Sequence, residues 1–163
     1  QCYEVPVGFK YISAKMAETI AVIGGEYSGG LAVRGHIAGK DCIYAAALLV
    51  EMLAVTGKSV SQLYQEITDK YGMLYYEDAA FTMTQARKAE LQEKLFVKLE
   101  VPDFDNAVEK INRTDGCKVY FTDGSWVICR FSGTEPLLRM AAEGESQSQA
   151  RTYIRIWREA LGL

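Results

Sequence analysis

Short apolar runs and a glycine-rich segment alternate in the first part of the chain. Residues 4–7 and 19–23 are short apolar runs with the composition of strands, and the segment 24–30 after the second run is rich in glycine. This pattern predicts two strands separated by a mixed segment, with a loop after the second strand.

Two helices are predicted next, because each apolar segment is bounded by residues that favour helix ends. Asp41 can cap the first segment, which ends at Gly57. Ser59 and Gln62 have the spacing of a capping box at the start of the second segment, which ends near Gly72. Strands connected to helices in this order indicate an α/β unit.

The second half of the chain shows a different alternation. Residues 84–96 form a charged, mostly polar helical segment, and Pro102 interrupts the chain after it. Strand-like runs follow at residues 107–112, 118–121, 126–130 and 137–142. A last helix is predicted from Ser146, with Gln149 as capping-box partner and a stripe expected to lie in the core: Ala150, Tyr153, Ile154, Trp157 and Leu161.

These patterns predict three parts. An α/β domain covers residues 1–78, a linker helix covers 79–100, and a small α+β domain covers 101–163. The last part is expected to contain a four-stranded antiparallel sheet with one covering helix.

The dipeptide Asp123-Gly124 between two apolar runs predicts a hairpin with a two-residue loop. In that register Lys118 faces Cys129, which places Cys117 and Cys129 on opposite sides of the ribbon, so no disulfide is expected between them. The four cysteines show no Cys-x-x-Cys spacing, which disfavours zinc and thioredoxin-like sites. Free thiols in a reducing cytoplasm are the simplest interpretation.

Composition narrows the class of protein. The chain has 163 residues, of which 49% are hydrophobic and 24% charged, as in a globular protein of one or two small domains. No apolar run reaches the roughly 18 residues that span a bilayer, and no signal peptide is visible at the start. The net charge of -3 disfavours a general nucleic-acid binder. Because the chain does not begin with Met, we expect a fragment or a processed product.

The segment RFSGTEPLLR, residues 130–139, lies between two of the predicted strands and therefore predicts a loop. Such a loop can direct the Arg130 guanidinium, the Ser132 and Thr134 hydroxyls and backbone N–H groups toward one point. This set of donors suits a phosphate dianion. The alternative is a polar turn with a solvated arginine.

Three other patterns carry little functional weight. Residues 57–59 (GKS) lack the earlier glycine of a nucleotide-binding loop, and residues 35–41 have too few residues between their glycines. Residues 103–105 (DFD) have no third metal ligand nearby, which favours a solvated turn.

The glycine-rich segment is a second candidate site. Glu26 and Ser28 lie on a loop that leaves a strand, where α/β sheets place ligand contacts. A carboxylate and a hydroxyl separated by one residue can bond two adjacent sugar hydroxyls. A glycine-rich helix cap would give a similar pattern.

Four segments, taken in order, resemble the α-D-phosphohexomutases, the phosphoglucomutase/phosphomannomutase family. They are GFK at 8–10, GEYSGG at 25–30, RGHIAGKD at 34–41 and RFSGTEPLLR at 130–139. The resemblance covers nearly the whole chain. It implies part of the third, sugar-binding domain of a four-domain enzyme, followed by the complete fourth, phosphate-binding domain. Tyr27 and Ala38 depart from the family pattern, which more commonly has an acidic residue and proline there.

The resemblance also implies roles for individual residues. The sugar hydroxyls would be held by Glu26 and Ser28, with the basic side chains of Lys10 and His36 in the same cleft. The substrate phosphate would be held by the loop residues Arg130, Ser132, Gly133 and Thr134.

The family's nucleophile and metal loops are absent from this sequence. The phosphoserine loop, Ser-His-Asn-Pro, and the magnesium loop, Asp-Gly-Asp-x-Asp-Arg, do not occur in it. The resemblance therefore implies that magnesium and the hexose 1,6-bisphosphate activator act with the missing N-terminal domains of a cytoplasmic hexose-phosphate mutase, and that this chain has no catalytic nucleophile and no metal site. A stand-alone sugar-phosphate-binding module and an unrelated α+β protein are the alternatives.

Overall fold

The computed structural model describes residues 1–98, 100–133 and 135–163. These residues form two compact units, Gln1–Gly72 and Met73–Leu163. Each unit has its own sheet, so each is described by itself.

The first unit contains a two-stranded antiparallel sheet and three helices. Ile23 pairs with Val33 in the sheet, and the loop between the strands spans residues 26–30. Its elements in chain order are α1 (Phe9–Thr19), β1 (Ile23–Gly25), β2 (Leu31–Val33), α2 (Cys42–Thr56) and α3 (Val60–Tyr71).

The caps predicted for α2 and α3 are confirmed. The Asp41 side chain accepts hydrogen bonds from the backbone of Ile43 and Tyr44, and α2 ends at Gly57 in a left-handed conformation. Ser59 and Gln62 form both bonds of a capping box, and α3 ends at Gly72. Capping groups of this kind typically stabilise a helix by about 1 kcal/mol each.

The strands predicted at residues 4–7 and 19–23 are wrong. Residues 4–6 have no regular structure, and the second run contains the end of α1, with only Ile23 in β1. Side chains of α1 pack against the strand, since a Cβ at Gly24 would lie 2.5 Å from Ile12 and 2.7 Å from Met16. Packing of the helix on the strand outweighs the β propensity of the individual residues.

The apolar surface of the first unit is largely exposed. Ala32 is its one buried apolar residue in the described part of the chain, and α2 has none, although 13 of its 15 residues are hydrophobic. No single described helix is long and apolar enough to cross a bilayer; α2 and α3 meet that criterion only as a pair bent by 84°.

The second unit is a five-stranded antiparallel sheet with helices on one face. The strand order is β3-β7-β6-β5-β4. Its elements are β3 (Tyr75–Thr82), α4 (Gln85–Gln92), a π-helical turn (Glu93–Val97), β4 (Val108–Asn112), β5 (Cys117–Phe121), β6 (Trp126–Phe131), β7 (Leu137–Gly144) and α5 (Gln147–Leu161). The prediction of an α+β domain is confirmed, but the sheet has five strands rather than four.

The additional strand is β3, which pairs with β7 along its whole length. It lies across the predicted boundary at residue 78, and the structure places the division between its units after Gly72. Residues of the predicted linker helix also enter the core, since Leu91 and Leu95 are fully buried.

The core lies between one face of the sheet and α5. As predicted, the stripe on α5 is buried at Ala150, Tyr153, Trp157 and Leu161, and Ile154 packs against it. Ser146 caps the helix, whereas the Gln149 side chain bonds the backbone of Glu145 instead of completing the capping box.

The predicted register of the β5–β6 hairpin is wrong by one residue. Lys118 pairs with Ile128, and Cys117 pairs directly with Cys129. Phe121 N donates to Ser125 O at 2.9 Å, which closes a three-residue loop in which Gly124 has φ 86°. Both cysteines are therefore on the same buried face, and both are free thiols.

Candidate functional sites

The β1–β2 loop is held in a tight turn at Glu26. Glu26 N donates to Gly30 O at 2.8 Å, and Gly29 N donates to Glu26 O at 3.0 Å. Ser28 lies at the exposed tip of this turn. Glu26 and Ser28, both predicted as sugar-binding residues, thus lie on one short backbone turn.

The Glu26 carboxylate is paired with a lysine that the sequence analysis did not assign. Lys40 Nζ lies 3.1 Å from Glu26 Oε2, and the Glu26 side chain is only 17% exposed. The same Nζ lies 5.6 Å from the centre of the Phe9 ring. A Cβ at Gly30 would lie 2.5 Å from the Lys40 chain, so glycine there allows the pair to form.

His36 is bound to the start of α2. Its Nε2 lies 2.8 Å from Asp41 Oδ2, and its ring stacks on Tyr44 with ring centres 4.0 Å apart. The hydrogen bond from the Tyr44 backbone to Asp41, together with the contact to His36, lowers the pKa of the Asp41 carboxyl below its usual 3.8. Asp41 is therefore ionised at neutral pH.

Lys10 lies apart from these contacts. It is exposed on α1, with Nζ 4.8 Å from the ring centre of its neighbour Tyr11. Among the described residues it forms no ion pair or hydrogen bond with Glu26, Ser28 or His36.

A loop joins β6 to β7 within the segment 130–139, as predicted, but Arg130 and Phe131 belong to the end of β6 and residues 137–139 to the start of β7. Ser132 N donates to Leu137 O at 2.9 Å, and the Ser132 hydroxyl accepts from Glu135 N at 3.2 Å. Ser132 is 6% exposed, whereas Gly133 is exposed. Thr134, the remaining predicted phosphate ligand in this loop, lies outside the described residues.

Two arginines flank the base of this loop. Arg130 on β6 is directly opposite Arg139 on β7, and Arg139 Nη2 lies 2.6 Å from Glu135 Oε2. Within the described part of the chain, the Arg130 guanidinium has no hydrogen bond or ion pair. Sequence reasoning gave Arg139 no role, although it closes the RFSGTEPLLR segment.

The backbone of Arg130 is packed against a glycine in the β4–β5 turn. A Cβ at Gly116 would lie 2.5 Å from both Cys129 O and Arg130 Cβ, and Gly116 has φ 96°. Only glycine adopts this conformation without strain and leaves room for Arg130. No sequence signal pointed to this contact, because it joins residues from two hairpins.

The cysteines beside these residues are poor nucleophiles. Burial raises the pKa of the Cys117 thiol and raises that of Cys129 further. Thiols in such surroundings stay protonated. Across residues 1–98, 100–133 and 135–163, no group of three or more His, Cys, Asp or Glu side chains could hold a metal ion.

An α/β unit followed by an antiparallel α+β unit with an arginine-flanked loop defines the class of fold. Family models described as phosphoglucomutase/phosphomannomutase alpha/beta/alpha domain III and C-terminal domain match residues 1–71 and 82–158. The chain belongs to the phosphoglucomutase/phosphomannomutase family.

Individual relatives agree with this assignment. A phosphoglucomutase/phosphomannomutase of Thermococcus kodakarensis is 33% identical over 92% of this chain and 30% of its own length. A phosphoglucosamine mutase of Fusobacterium nucleatum is 28% identical over 86% of this chain and 27% of its own. The chain therefore spans less than a third of these relatives.

A solved structure shows the same fold. A phosphoglucomutase/phosphomannomutase family protein of Burkholderia thailandensis superposes with a TM-score of 0.70 and 24% identity, covering 95% of this chain and 31% of that chain. At this level of identity the comparison concerns the fold alone.

Proposed function

We propose that this chain is the substrate-binding C-terminal part of a hexose-phosphate mutase. The whole enzyme would interconvert hexose 1-phosphate and hexose 6-phosphate through a bisphosphate intermediate. The observation that carries the proposal is the loop between β6 and β7, where Arg130 faces Arg139 without a described carboxylate partner of its own. Family membership supports the reaction class.

The phosphate would bind at residues 130–134. The Arg130 guanidinium supplies charge and paired N–H donors, and the exposed backbone at Gly133 allows close approach. The Ser132 hydroxyl accepts a bond from Glu135 N, which leaves its own hydrogen free to donate. Thr134 is proposed as a further hydroxyl donor. Preorganised donors of this kind supply much of the catalysis in phosphoryl transfer.

The sugar would bind at the β1–β2 loop. The Glu26 carboxylate, oriented by Lys40, accepts from one hydroxyl, and Ser28 at the exposed tip bonds a second. Lys10 and His36 are proposed as the basic residues of the sugar site. Glucose, mannose and amino-sugar phosphates all present hydroxyls that this loop can bind.

The remaining parts of the reaction are proposed for the rest of the enzyme. The phosphoserine, magnesium and the hexose 1,6-bisphosphate activator belong to the N-terminal domains, which are this chain's proposed partners together with the hexose phosphate. The setting proposed is the cytoplasm, without nucleic acid or membrane partners.

Activity assays on the full-length protein and on this chain test the proposal. With magnesium and bisphosphate, the full-length protein should convert at least one of glucose, mannose or glucosamine 1-phosphate to its 6-phosphate, and this chain alone should convert none. Failure of the full-length protein with all three substrates would overturn the reaction class. Turnover by the chain alone would overturn its assignment as a binding part.

A further inference from the structure

The His36 ring is fixed from two sides by the first turn of α2. Asp41 Oδ2 lies 2.8 Å from Nε2, and the Tyr44 ring stacks on the imidazole at 21° between planes. The His36 side chain is still 32% exposed. The ring is therefore held in one orientation while about a third of the side chain stays exposed.

Each oxygen of Asp41 has a separate role. Oδ1 accepts from Ile43 N and Tyr44 N, both at 3.0 Å, and so caps the helix. Oδ2 faces the imidazole. An ionised carboxylate can only accept hydrogen bonds, so the hydrogen in this contact must come from Nε2.

The state of Nε2 determines the state of the other ring nitrogen. A neutral imidazole carries one hydrogen, so Nδ1 is left with a lone pair when Nε2 is protonated. Among the described residues, no group donates to Nδ1. We propose that Asp41 is a positioning residue that fixes His36 as the Nε2–H tautomer, so that Nδ1 accepts a hydrogen bond from a sugar hydroxyl.

The second half of this inference rests on the proposed function, because it uses His36 as a sugar contact. The first half does not, since it follows from the contacts of Asp41. The chemistry favours a ligand with a donor at this point, such as a free hydroxyl. In the opposite tautomer, Nδ1 of His36 would carry the hydrogen and would favour a ligand with a hydrogen-bond acceptor at this point.

A single histidine makes the tautomer directly measurable. The sequence contains only His36, so NMR of the chain labelled with isotopic histidine shows one imidazole. At a pH at which the imidazole is neutral, the wild-type spectrum should show a protonated Nε2 and an unprotonated Nδ1. A protonated Nδ1, or an even mixture, would overturn the proposal.

Two variants separate the imidazole contact from the helix cap. Asp41→Asn keeps a good capping oxygen but turns an NH₂ group toward Nε2, so the hydrogen should move to Nδ1. Asp41→Ser keeps a cap but is too short to reach the ring, and both tautomers should appear. Ser59→Ala, which weakens the cap of α3 only, is the matched control and should leave the spectrum unchanged. A wild-type spectrum from Asp41→Asn would contradict the inference.

The sugar contact has its own readout. In the full-length protein, Asp41→Asn should raise the KM for hexose phosphate by about tenfold, the usual effect of losing a well-placed hydrogen bond in a binding site. If Asp41→Asn switches the tautomer of His36 but leaves the KM unchanged, His36 does not contact the sugar. The role of Asp41 in fixing the tautomer would then remain, so the two failures are distinguishable.

Discussion

Arg130 and Arg139 are directly opposite each other on the antiparallel strands β6 and β7. Like charges at opposed positions destabilise a sheet, by up to about 1 kcal/mol. Glu135 balances Arg139 at 2.6 Å, and no described group balances Arg130 in the same way. A bound phosphate dianion would stabilise this arrangement, which is the central argument for the proposed site.

Gly116 should control phosphate binding through its contact with Arg130. Gly116→Ala places a Cβ 2.5 Å from Arg130 Cβ, so the arginine must shift. Losing one charged hydrogen bond would weaken phosphate binding about tenfold or more. Isothermal titration with inorganic phosphate measures this effect.

The matched control for that variant is Gly124→Ala. Gly124 also has a positive φ, 86°, but an added Cβ there meets no atom within 4 Å. An alanine at either position has a strained backbone, but only the alanine at position 116 contacts Arg130. Equal phosphate affinities for the two variants would exclude Gly116 as a positioning residue.

Glu135 should compete with phosphate for Arg139. Glu135→Gln removes the carboxylate and releases the guanidinium, and exposed pairs of this kind are worth up to about 1 kcal/mol, so phosphate affinity should rise up to about fivefold. Glu159→Gln removes the same charge from the i,i+4 pair with Arg155 on α5 and should have no such effect. A lower affinity for Glu135→Gln than for Glu159→Gln would contradict this competition.

Asp123 should give the second unit an acid-sensitive contribution to stability. Burial alone would raise its pKa, but the hydrogen bonds from Ser125 and Gln149 outweigh burial, and the folded pKa is lowered from 3.8. A depressed folded pKa stabilises the protein above the unfolded value, and this stability is lost as pH falls through the folded value.

Denaturant titrations across the acid range test this contribution. Asp123→Asn should lower the free energy of unfolding most at neutral pH, and its difference from wild type should shrink below about pH 4. Asp105→Asn, at an exposed residue with no described hydrogen bond, is the control. If the difference in unfolding free energy between Asp123→Asn and wild type grew on acidification, the folded pKa of Asp123 would not be lowered, and the prediction would be wrong.

The first unit should open more readily than the second. In its described part Ala32 is the one buried apolar residue, whereas the second unit has a core cluster of 15 buried residues. Amides in α2 should therefore exchange hydrogen faster than those in β5, β6 and β7. If amides in α2 exchanged more slowly than those in the central strands, the prediction that the first unit opens more readily would be wrong.

Local signals were sufficient for the caps and for the ligand loops. Asp41, Ser59 and Ser146 cap helices because their side chains bond residues only two or three positions away, a range that sequence spacing describes. Family motifs placed Glu26 and Ser28 on a loop, and the structure has them there. They also predicted a loop within residues 130–139, which the structure has between the end of β6 at Phe131 and the start of β7 at Leu137.

Features that depend on distant contacts were not predictable. The register of β5 and β6 depends on Ser125, which bonds Asp123 and Tyr153 and so selects a three-residue loop over a two-residue one. Strand β3 exists because β7 offers it a partner, and Gly116 meets Arg130 only after both hairpins form. Local propensity contains no information about these pairings.

The β6–β7 loop is proposed to bind phosphate through Arg130. The direct measurement is an NMR titration of the labelled chain with inorganic phosphate, following the amides of Ser132, Gly133 and Glu135. The loss of a charged hydrogen bond predicts that Arg130→Gln binds about 10- to 100-fold more weakly, whereas Arg155→Gln on α5 binds like the wild type. We expect saturable shifts at these amides, which in Arg130→Gln should need about 10- to 100-fold more phosphate to reach half-saturation, and binding should weaken with added salt. Shifts elsewhere with none at these amides, or equal shifts in Arg130→Gln, would contradict the claim.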